Sequence, residues 1–563
     1  MQPKRSVILR LVWFLKVSRL KRSHQRYVCR TPFSNSLITV KTWYKATLIE
    51  KEDSKKTNGY SRPHDNNTKN ASRMPQDVSE VTWKQDPVDI QLQIPVEVWQ
   101  TIFALACLTK EGYALLLDSS YRRKARLKVP PIIISHVCSR WRDIAISSPF
   151  LWSTIAINLS FLPHFAPDLL RIYLENSKQC LLDIRIHGFY YDAPKGTETT
   201  WGTLVPHLRR CSSLFCSHLP QSLTIPEGSF PNLTTLEDTF PTADTRWQNY
   251  FQVTPKLTSI TTSSLYPYHT FPYSQLTSME FRYLQLNDVE TLIKHVLPPA
   301  KSLESLTVGV SISRGGREPE GSIGLRQAET LPVLRKLVLS DRESGASMNS
   351  PVLRDIVGSF KTPTLITLQL ECAENCSAGW SSSFFSFLTH ASTSLRHFSL
   401  TIRHSVIPER RTLSRLLELV PNLTEFRLKM RNGSTTVEGA PWLTGMQYEA
   451  FVPTYVGDLF LDLRVTDQRP AVLVPKLTYI SVSLPRITLN SDTLSQILDA
   501  AESRVTASIS THGTNVQSLG KLSLACRGKF GADRDSDIWP DPTRIQSLMR
   551  KGVQIAFEDL TKY

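Results

Sequence analysis

The chain has 563 residues, of which 41% are hydrophobic and 21% charged, so it is too apolar for a disordered protein and long enough for several units or a repeat array. Its net charge of +16 is concentrated in residues 1–49, which hold eleven Lys and Arg residues and no Asp or Glu. The rest of the chain carries only +5, so a nucleic-acid partner is not expected for the folded region.

Residues 1–87 are interpreted as a basic and then polar tail and linker, which we expect to be disordered. The apolar run from residue 7 to residue 17 is interrupted by Arg10 and is too short to cross a bilayer, so no membrane partner is expected. A basic, acid-poor tail is also typical of a mitochondrial presequence, and this alternative stays open. Otherwise the expected localisation is cytoplasmic or nuclear.

The sequence lacks the motifs of common catalytic, metal and cofactor sites. Its nine cysteines are odd in number and scattered, with no Cys-x-x-Cys, which argues against a disulfide framework or a zinc site. There is no Gly-x-Ser-x-Gly elbow, phosphate-binding loop or dinucleotide fingerprint. We therefore predict no enzyme activity, no metal and no cofactor, with an enzyme of unfamiliar type as the alternative.

Residues 94–152 contain two segments with helical periodicity. The first begins at Pro95, and its apolar residues follow at helical spacing: Val98, Trp99, Ile102 and Phe103. The second is predicted as one helix over residues 134–145, which Pro149 stops. Leu151 and Trp152 then add a large apolar surface, so the stretch predicts a small helical unit.

These residues resemble the F-box, in particular the F-box-like domain of basidiomycete fungal proteins with irregular leucine-rich repeats. Residues 94–103 match the family's Leu-Pro-x-Glu-Ile/Val-x-x-x-Ile-Phe, with Ile94 in place of Leu. Residues 137–145 match Val-Cys-x-x-Trp-Arg-x-Ile-Ala, and residues 149–152 match Pro-x-Leu-Trp. The spacer over residues 104–131 is longer than in short F-boxes.

The resemblance implies that residues 88–160 form a helical domain that docks on a Skp-type adaptor and, through it, on a cullin. Ten residues are expected to divide between the core of this domain and the adaptor surface: Ile94, Pro95, Val98, Trp99, Ile102, Phe103, Val137, Trp141, Ile144 and Trp152.

Residues 161–563 show a repeating helix-and-strand pattern. A helix turns into a strand over residues 169–186, and a helix over 201–214 precedes a strand-like segment near 219–225. Leucines then recur at positions 303, 334, 365, 395 and 423, spaced 31, 31, 30 and 28 residues apart. Each is followed three and five residues later by apolar positions, a period that suits one strand and one helix.

The pattern predicts an α/β solenoid with a curved parallel sheet, and it resembles leucine-rich repeats that lack the usual Asn or Cys after the strand. We predict helices over residues 288–297 (capped by Asn287), 352–360, 384–391, 413–420, 494–503 and 544–551. Strands over 519–525 and 553–557 complete a C-terminal cap.

In each repeat strand the residues between the apolar positions must face the other side of the sheet. This predicts three rows across the concave face: Lys336, Thr367, His397 and Glu425, then Gln369, Ser399 and Arg427 after Val338, then Ser340, Glu371, Thr401 and Lys429. The predicted target-binding residues are Lys336, Gln369, Glu371, His397, Glu425, Arg427 and Lys429. The alternative is that these polar rows serve only solubility.

The resemblance implies a substrate-receptor subunit of a cullin-based ubiquitin ligase, in which the F-box binds the adaptor and the repeats bind an unknown target protein. The alternative is an adaptor-independent scaffold whose F-box-like helices cap the open N-terminal end of the solenoid.

Overall fold

A computed structural model describes most of the chain beyond residue 93. The described residues are 94–107, 115–118, 126–159, 162–188, 196–217, 223–238, 250–251, 253–263, 265, 271–310, 329–341, 356–372, 382–403, 410–431, 445–466, 472–484, 489–509, 516–526 and 542–559. All of them belong to one compact unit, residues 90–562. The tail and linker predicted over residues 1–87 lie outside the described residues.

Within the described ranges the chain forms eighteen strands. They are β1 (Leu115–Asp118), β2 (Arg126–Lys128), β3 (Thr154–Asn158), β4 (Leu182–His187), β5 (Cys211–Cys216), β6 (Thr235–Asp238), β7 (Ser259–Thr262), β8 (Ser278–Leu284), β9 (Ser305–Val310), β10 (Glu329–Thr330), β11 (Lys336–Asp341), β12 (Phe360–Lys361), β13 (Thr367–Cys372), β14 (His397–Arg403), β15 (Glu425–Arg431), β16 (Tyr479–Leu484), β17 (Lys521–Cys526) and β18 (Gln554–Asp559).

Sixteen of these strands form one sheet, in which the strands from β3 to β18 follow chain order. Strands β10 and β12 are outside it and pair with each other. Neighbours are parallel throughout the large sheet except for β1 and β2, which are antiparallel. Parallel neighbours need a crossover connection, and helices supply many of these crossovers.

The described helices lie before the sheet and between its strands. They are α1 (Val96–Cys107), α2 (Pro130–Ser135), α3 (Ser139–Ile146), α4 (Ala166–Asn176), α5 (Thr197–Leu204), α6 (Leu286–Thr291), α7 (Ser382–Ala391), α8 (Arg410–Glu418), α9 (Gly445–Leu463), α10 (Ser491–Ile509) and α11 (Pro542–Arg550). No helix in the described part of the chain is long and apolar enough to pass through a bilayer.

The repeat period predicted from the leucines is confirmed. The five leucines at positions 303, 334, 365, 395 and 423 are fully buried, and each lies two residues before a strand of the large sheet. Within these strands the apolar residues alternate with less buried ones, as in β9, because successive side chains point to opposite faces. The protein is therefore a mixed α/β, solenoid-like structure with a long parallel sheet, and its core runs along one face of that sheet.

The single helix predicted over residues 134–145 is wrong, because the chain breaks it in two. Helix α2 ends at Ser135, and Cys138 is extended, with φ −157° and ψ 169°. The sulfur of Cys138 accepts a hydrogen bond from the backbone N–H of Trp141 at 3.4 Å, so Cys138 caps α3. A thiol is an unusual cap, and helical periodicity alone does not reveal one.

The region predicted to be helical over residues 88–160 also contains strands. The long spacer forms β1 and β2, and β1 pairs in parallel with β3 at the end of the large sheet. A boundary near residue 160 therefore falls between two paired strands, β3 and β4. The helical segment and the repeats share one continuous core.

Three further predictions need correction. The helix predicted over residues 201–214 gives way to a 3-10 helix (Val205–Arg210) and then to β5, and the described residues 223–225 of the predicted strand form no strand. Helix α6 is capped by Gln285, which forms a capping box with Asp288, rather than by Asn287. Residues 356–358 are helical as predicted, but residue 360 starts β12.

Helix α9 has no counterpart among the predictions. Pro453 and Gly457 lie inside it, and both residues argue against a helix when only the sequence is considered. Gly457 is buried, and a Cβ atom there would overlap the side chain of Gln496 on α10. Close packing of two helices therefore stabilises a segment that propensity disfavours.

Candidate functional site

Three aromatic rings hold α1 against α3. The ring centres of Trp99 and Trp141 are 5.0 Å apart, and that of Phe103 lies 5.7 Å from Trp99 and 5.0 Å from Trp141. Arg140 donates a hydrogen bond from Nη2 to the carbonyl oxygen of Ile94 at 3.0 Å. These contacts fix the start of α1 next to α3, so the residues of both matched motifs lie in one small cluster.

Three of the ten residues predicted to serve the core or the adaptor belong to the core. Phe103, Ile144 and Trp152 are all less than a twentieth exposed. The indole Nε1 of Trp152 donates to the carbonyl oxygen of Ala145 at 2.8 Å, and its ring centre lies 5.0 Å from that of Tyr173 on α4. In the predicted division these three residues therefore fall to the core and are removed from the candidate adaptor contacts, since side chains this deeply buried cannot touch a partner.

The other seven residues are partly or fully exposed. Ile94, Trp99, Ile102 and Trp141 are half-buried, and the last three pack against the core. Pro95, Val98 and Val137 are exposed.

Four exposed apolar residues in the same segment were missed by the sequence analysis: Val96, Ile133, Ile146 and Phe150. Together with Val98 and Val137 they make six of the thirteen large hydrophobic residues that are exposed among those the structure describes. These six residues, here called the exposed apolar set, all lie between positions 96 and 150. Helical spacing marked this segment as apolar, but it did not separate an inner from an outer side. Exposed apolar patches commonly mark interaction sites, so this segment, which holds six of the thirteen, is the candidate docking segment.

Burial keeps the thiols of Cys107 and Cys211 protonated. Cys107, at the end of α1, is buried, and burial raises the pKa of its thiol to about 12. Burial also raises the pKa of Cys211 on β5, so both thiols stay protonated at neutral pH. Among the described residues no group of three or more His, Cys, Asp and Glu side chains could hold a metal ion.

The three polar rows predicted on the sheet follow the observed register. Lys336 pairs with Thr367, Thr367 with His397, and His397 with Glu425. The second row, Gln369, Ser399 and Arg427, and the third, Ser340, Glu371, Thr401 and Lys429, pair in the same way. All of them share the side of the sheet opposite the buried leucines, here called the open face.

One row member differs from its prediction. Ser340 is buried, and its Oγ lies close to where a Cβ atom on Gly309 would be, 3.2 Å away. The same Cβ atom would lie 2.4 Å from the backbone oxygen of Arg282, in the stretch where the pairing of β8 with β9 shifts register between Phe281 and Leu284.

Glu425 is the centre of a charged network on the open face. Its Oε2 lies 2.9 Å from Nδ1 of His397, and its Oε1 accepts a hydrogen bond from Nε of Arg427. The guanidinium of Arg427 also lies over the ring of Tyr479, with Cζ 5.4 Å from the ring centre. From the neighbouring strand β17, Nζ of Lys521 lies 5.1 Å from the centre of the same ring.

Tyr479 and Lys521 were not among the predicted site residues. The register places them in the row of His397 and Glu425, with Tyr479 one strand and Lys521 two strands beyond Glu425. The signal was present in the sequence, because Leu477 follows the same leucine pattern and places Tyr479 at the same position of its strand. The next leucine of the pattern after Leu423 is Leu477, 54 residues on, so the period of about 30 residues does not by itself predict that β16 follows β15 in the sheet.

The open face has a different charge near the N-terminal strands. Arg282 on β8 forms ion pairs with Glu237 at 2.8 Å and with Glu280 at 2.9 Å. Burial lowers the pKa of Arg282, but the two carboxylates outweigh it and raise the pKa above its ordinary value. Asp183 on β4 is partly buried, and burial raises the pKa of its carboxyl group, against the opposing effects of Arg185 and Ser213.

Comparisons with known proteins assign no family. No protein-family model matches the chain. A search of curated proteins found no match either. The expected relation to F-box proteins therefore rests on the motif residues themselves.

Proposed function

We propose that the protein is a substrate-receptor subunit of a cullin-based ubiquitin ligase. Residues 94–152 would act as an F-box that docks on a Skp-type adaptor, and the parallel sheet would act as an irregular leucine-rich-repeat array that holds the target protein. Such a receptor works by positioning, since a bound target has a high effective concentration near the transfer machinery.

The exposed apolar set is the observation that carries the proposal. Phe103, Ile144 and Trp152 are matched by the F-box pattern and lie in the core, whereas Val98 and Val137 are matched by the same pattern and are exposed. A pattern that served only folding would not require large apolar residues at exposed positions, because their exposure costs free energy in water. An apolar partner surface explains both halves of the pattern.

One observation favours the alternative function, an adaptor-independent scaffold. Phe103 of α1 and Ile144 of α3 belong to the same buried core as the repeats, so these helices also cover the N-terminal part of that core. Solenoids need such caps at their ends. A cap alone, however, would not be expected to bind an adaptor.

The test is binding of the purified full chain to a recombinant Skp-type adaptor, measured by isothermal titration calorimetry. We expect Val98→Glu and Val137→Glu each to weaken binding about thirtyfold, because an unpaired charge would then face an apolar interface. Circular dichroism should show both variants folded, since the two valines are 46% and 54% exposed.

Ile509→Glu and Met549→Glu are matched controls, because these residues are exposed apolar side chains of α10 and α11. Both controls should bind the adaptor as the wild type does. Wild-type protein that does not bind the adaptor would contradict the ligase proposal and leave the scaffold. Equal losses of adaptor affinity in all four variants would show that nonspecific hydrophobic association, and not the exposed apolar set, accounts for the binding.

A further inference from the structure

The open face of β15–β17 combines cationic side chains with small hydroxyl side chains. Arg427 pairs in register with Ser481, and Ser481 pairs with Ser523. In the neighbouring row Tyr479 lies between Glu425 and Lys521. Five of these residues are here called the Tyr479 basin: Arg427, Tyr479, Ser481, Lys521 and Ser523. The name reflects the two short serines, which lie among three longer side chains.

The side chains of Arg427 and Lys521 both lie against the ring of Tyr479. Cζ of Arg427 lies 5.4 Å and Nζ of Lys521 lies 5.1 Å from the ring centre. The electron-rich face of the ring attracts each cation, but the two like charges repel each other. An anion bound between them would relieve that repulsion.

The open face of β15–β17 has fewer carboxylates than cations. Among the described open-face residues of β15–β17, Glu425 is the one carboxylate, against the cations Arg427, Lys429 and Lys521. The side chain of Glu425 is only 18% exposed and already contacts His397 and Arg427. On β6–β8 the balance is reversed, with one cation, Arg282, between Glu237 and Glu280. The cationic excess is therefore a local property of the C-terminal strands.

The geometry leaves donors for an incoming anion. Arg427 uses Nε for Glu425, so its two Nη nitrogens form an edge that suits a carboxylate, and such pairs are frequently bidentate. The exposed Lys521 adds a second cation, and the hydroxyls of Ser481 and Ser523 can donate to the same oxygens. Ser481 and Ser523 are half-buried, so part of each side chain is accessible from the open face.

We propose that the Tyr479 basin binds an acidic segment of the target protein, one rich in Asp and Glu. This inference rests on the proposed receptor function and deepens it by giving the chemical class of the target segment. It also moves the centre of the target site from β11–β15, where the sequence placed it, to β15–β17.

The test uses the full chain and a fluorescein-labelled oligoglutamate peptide, with an oligoglutamine peptide of the same length as the neutral reference. Fluorescence anisotropy should show saturable binding of oligoglutamate that weakens as salt is added, and no binding of oligoglutamine. Lys521→Glu and Arg427→Gln should each weaken it about tenfold.

Lys361→Glu is the matched control, because Lys361 is an exposed lysine on β12, outside the large sheet. This variant should change the affinity by less than about twofold. An equal loss for Lys361→Glu and Lys521→Glu would mean that diffuse charge binds the peptide, and the basin would be rejected. The absence of saturable oligoglutamate binding would also reject the basin. A phosphoserine peptide is tested in the same way, and binding of that peptide without binding of oligoglutamate would reject the basin too.

Adaptor binding is measured on the same proteins, so the two proposals fail separately. If Lys521→Glu loses the peptide but keeps the adaptor, the basin is supported independently of α1–α3. If the wild type binds the peptide but no adaptor, the ligase role fails and the acidic-segment site stands. If it binds the adaptor but not the peptide, only the basin proposal fails.

Discussion

Replacing Arg504 tests how the C-terminal repeats are held together. This residue of α10 has no exposed surface. Its Nε donates to the carbonyl oxygen of Leu463, the last residue of α9, at 3.2 Å. Both Nη nitrogens donate to the carbonyl oxygen of Val474 at 3.2 Å, and Nη2 also donates to that of Leu473. One guanidinium thus joins the end of α9, the loop that follows and α10.

Two opposing effects set the size of the expected change for Arg504→Met. Three buried carbonyls lose a charged donor, and at about 1.5 kcal/mol each this destabilises the fold by about 4–5 kcal/mol. Burial lowers the pKa of Arg504 from 12.5 to about 10, so the guanidinium stays charged at neutral pH, and removing that buried charge returns about 3 kcal/mol. Arg504→Met should therefore cost about 1–2 kcal/mol.

Lysine provides the discriminating comparison. Arg504→Lys keeps the charge and therefore its desolvation penalty, but an ammonium group cannot reproduce the fork that reaches three carbonyls. We expect Arg504→Lys to be less stable than Arg504→Met. Arg504→Ala, which adds a cavity, should be less stable than both.

The assay is urea unfolding followed by circular dichroism, combined with hydrogen exchange of residues 445–509, because a repeat protein can unfold in parts. Exchange in α9 and α10 should rise most. A lysine variant as stable as the wild type would refute the reasoning, since charge and not hydrogen-bond geometry would then be what the site needs.

Two further changes probe the sheet. Gly309→Ala should destabilise the fold by about 1–3 kcal/mol, because the added Cβ would overlap the backbone carbonyl of Arg282. Gly202→Ala on α5 is the control, because a Cβ atom there meets open space, and it should be neutral or stabilising. Thermal unfolding compares the two variants, and equal melting temperatures would contradict the clash. Asp183→Asn should raise the melting temperature at neutral pH, because burial raises the pKa of Asp183 above its ordinary 3.8 and the ionised form is disfavoured in the fold. That penalty is absent below about pH 4 and grows as the pH rises through the unfolded and folded pKa values, so the gain should vanish in acid; a gain independent of pH would argue against ionisation as its cause.

The repeat strands could be predicted because one rule fixes each of them. Leu303, Leu334, Leu365, Leu395 and Leu423 are fully buried two residues before a strand, and the period-2 alternation that follows fixes which side chains share the open face. Register between strands then follows from aligning the leucines. The rows through His397 and Glu425 could therefore be predicted from the sequence alone.

Features that depend on tertiary packing or on an unusual helix cap could not be predicted. Helix α9 exists despite Pro453 and Gly457 because it packs against α10, and the break between α2 and α3 depends on a thiol acting as a cap. The exposed apolar set illustrates the same limit. Val98 and Phe103 lie at opposite edges of the apolar side of α1, and the packing of the other helices decides that Val98 is exposed and Phe103 buried.

Arg210 and Arg504 show a further kind of information that sequence patterns do not carry. Arg210, which follows α5, reaches back past the end of α4, where Nη2 donates to Ser177 Oγ at 2.6 Å and to the carbonyl oxygen of Cys180 at 3.0 Å. Arg504 does the same at the end of α9.

The last carbonyls of a helix have no partner within the helix, and a neighbouring repeat can cover them without satisfying them. A cation is favoured at this end of the helix dipole, and a guanidinium has enough donors to reach several carbonyls at once. In a sequence both arginines look like solvent-facing residues of a helical segment. In the fold Arg210 contacts the segment after α4, and Arg504 contacts the end of α9 and Val474, so neighbouring repeats are joined by buried polar contacts as well as by leucines.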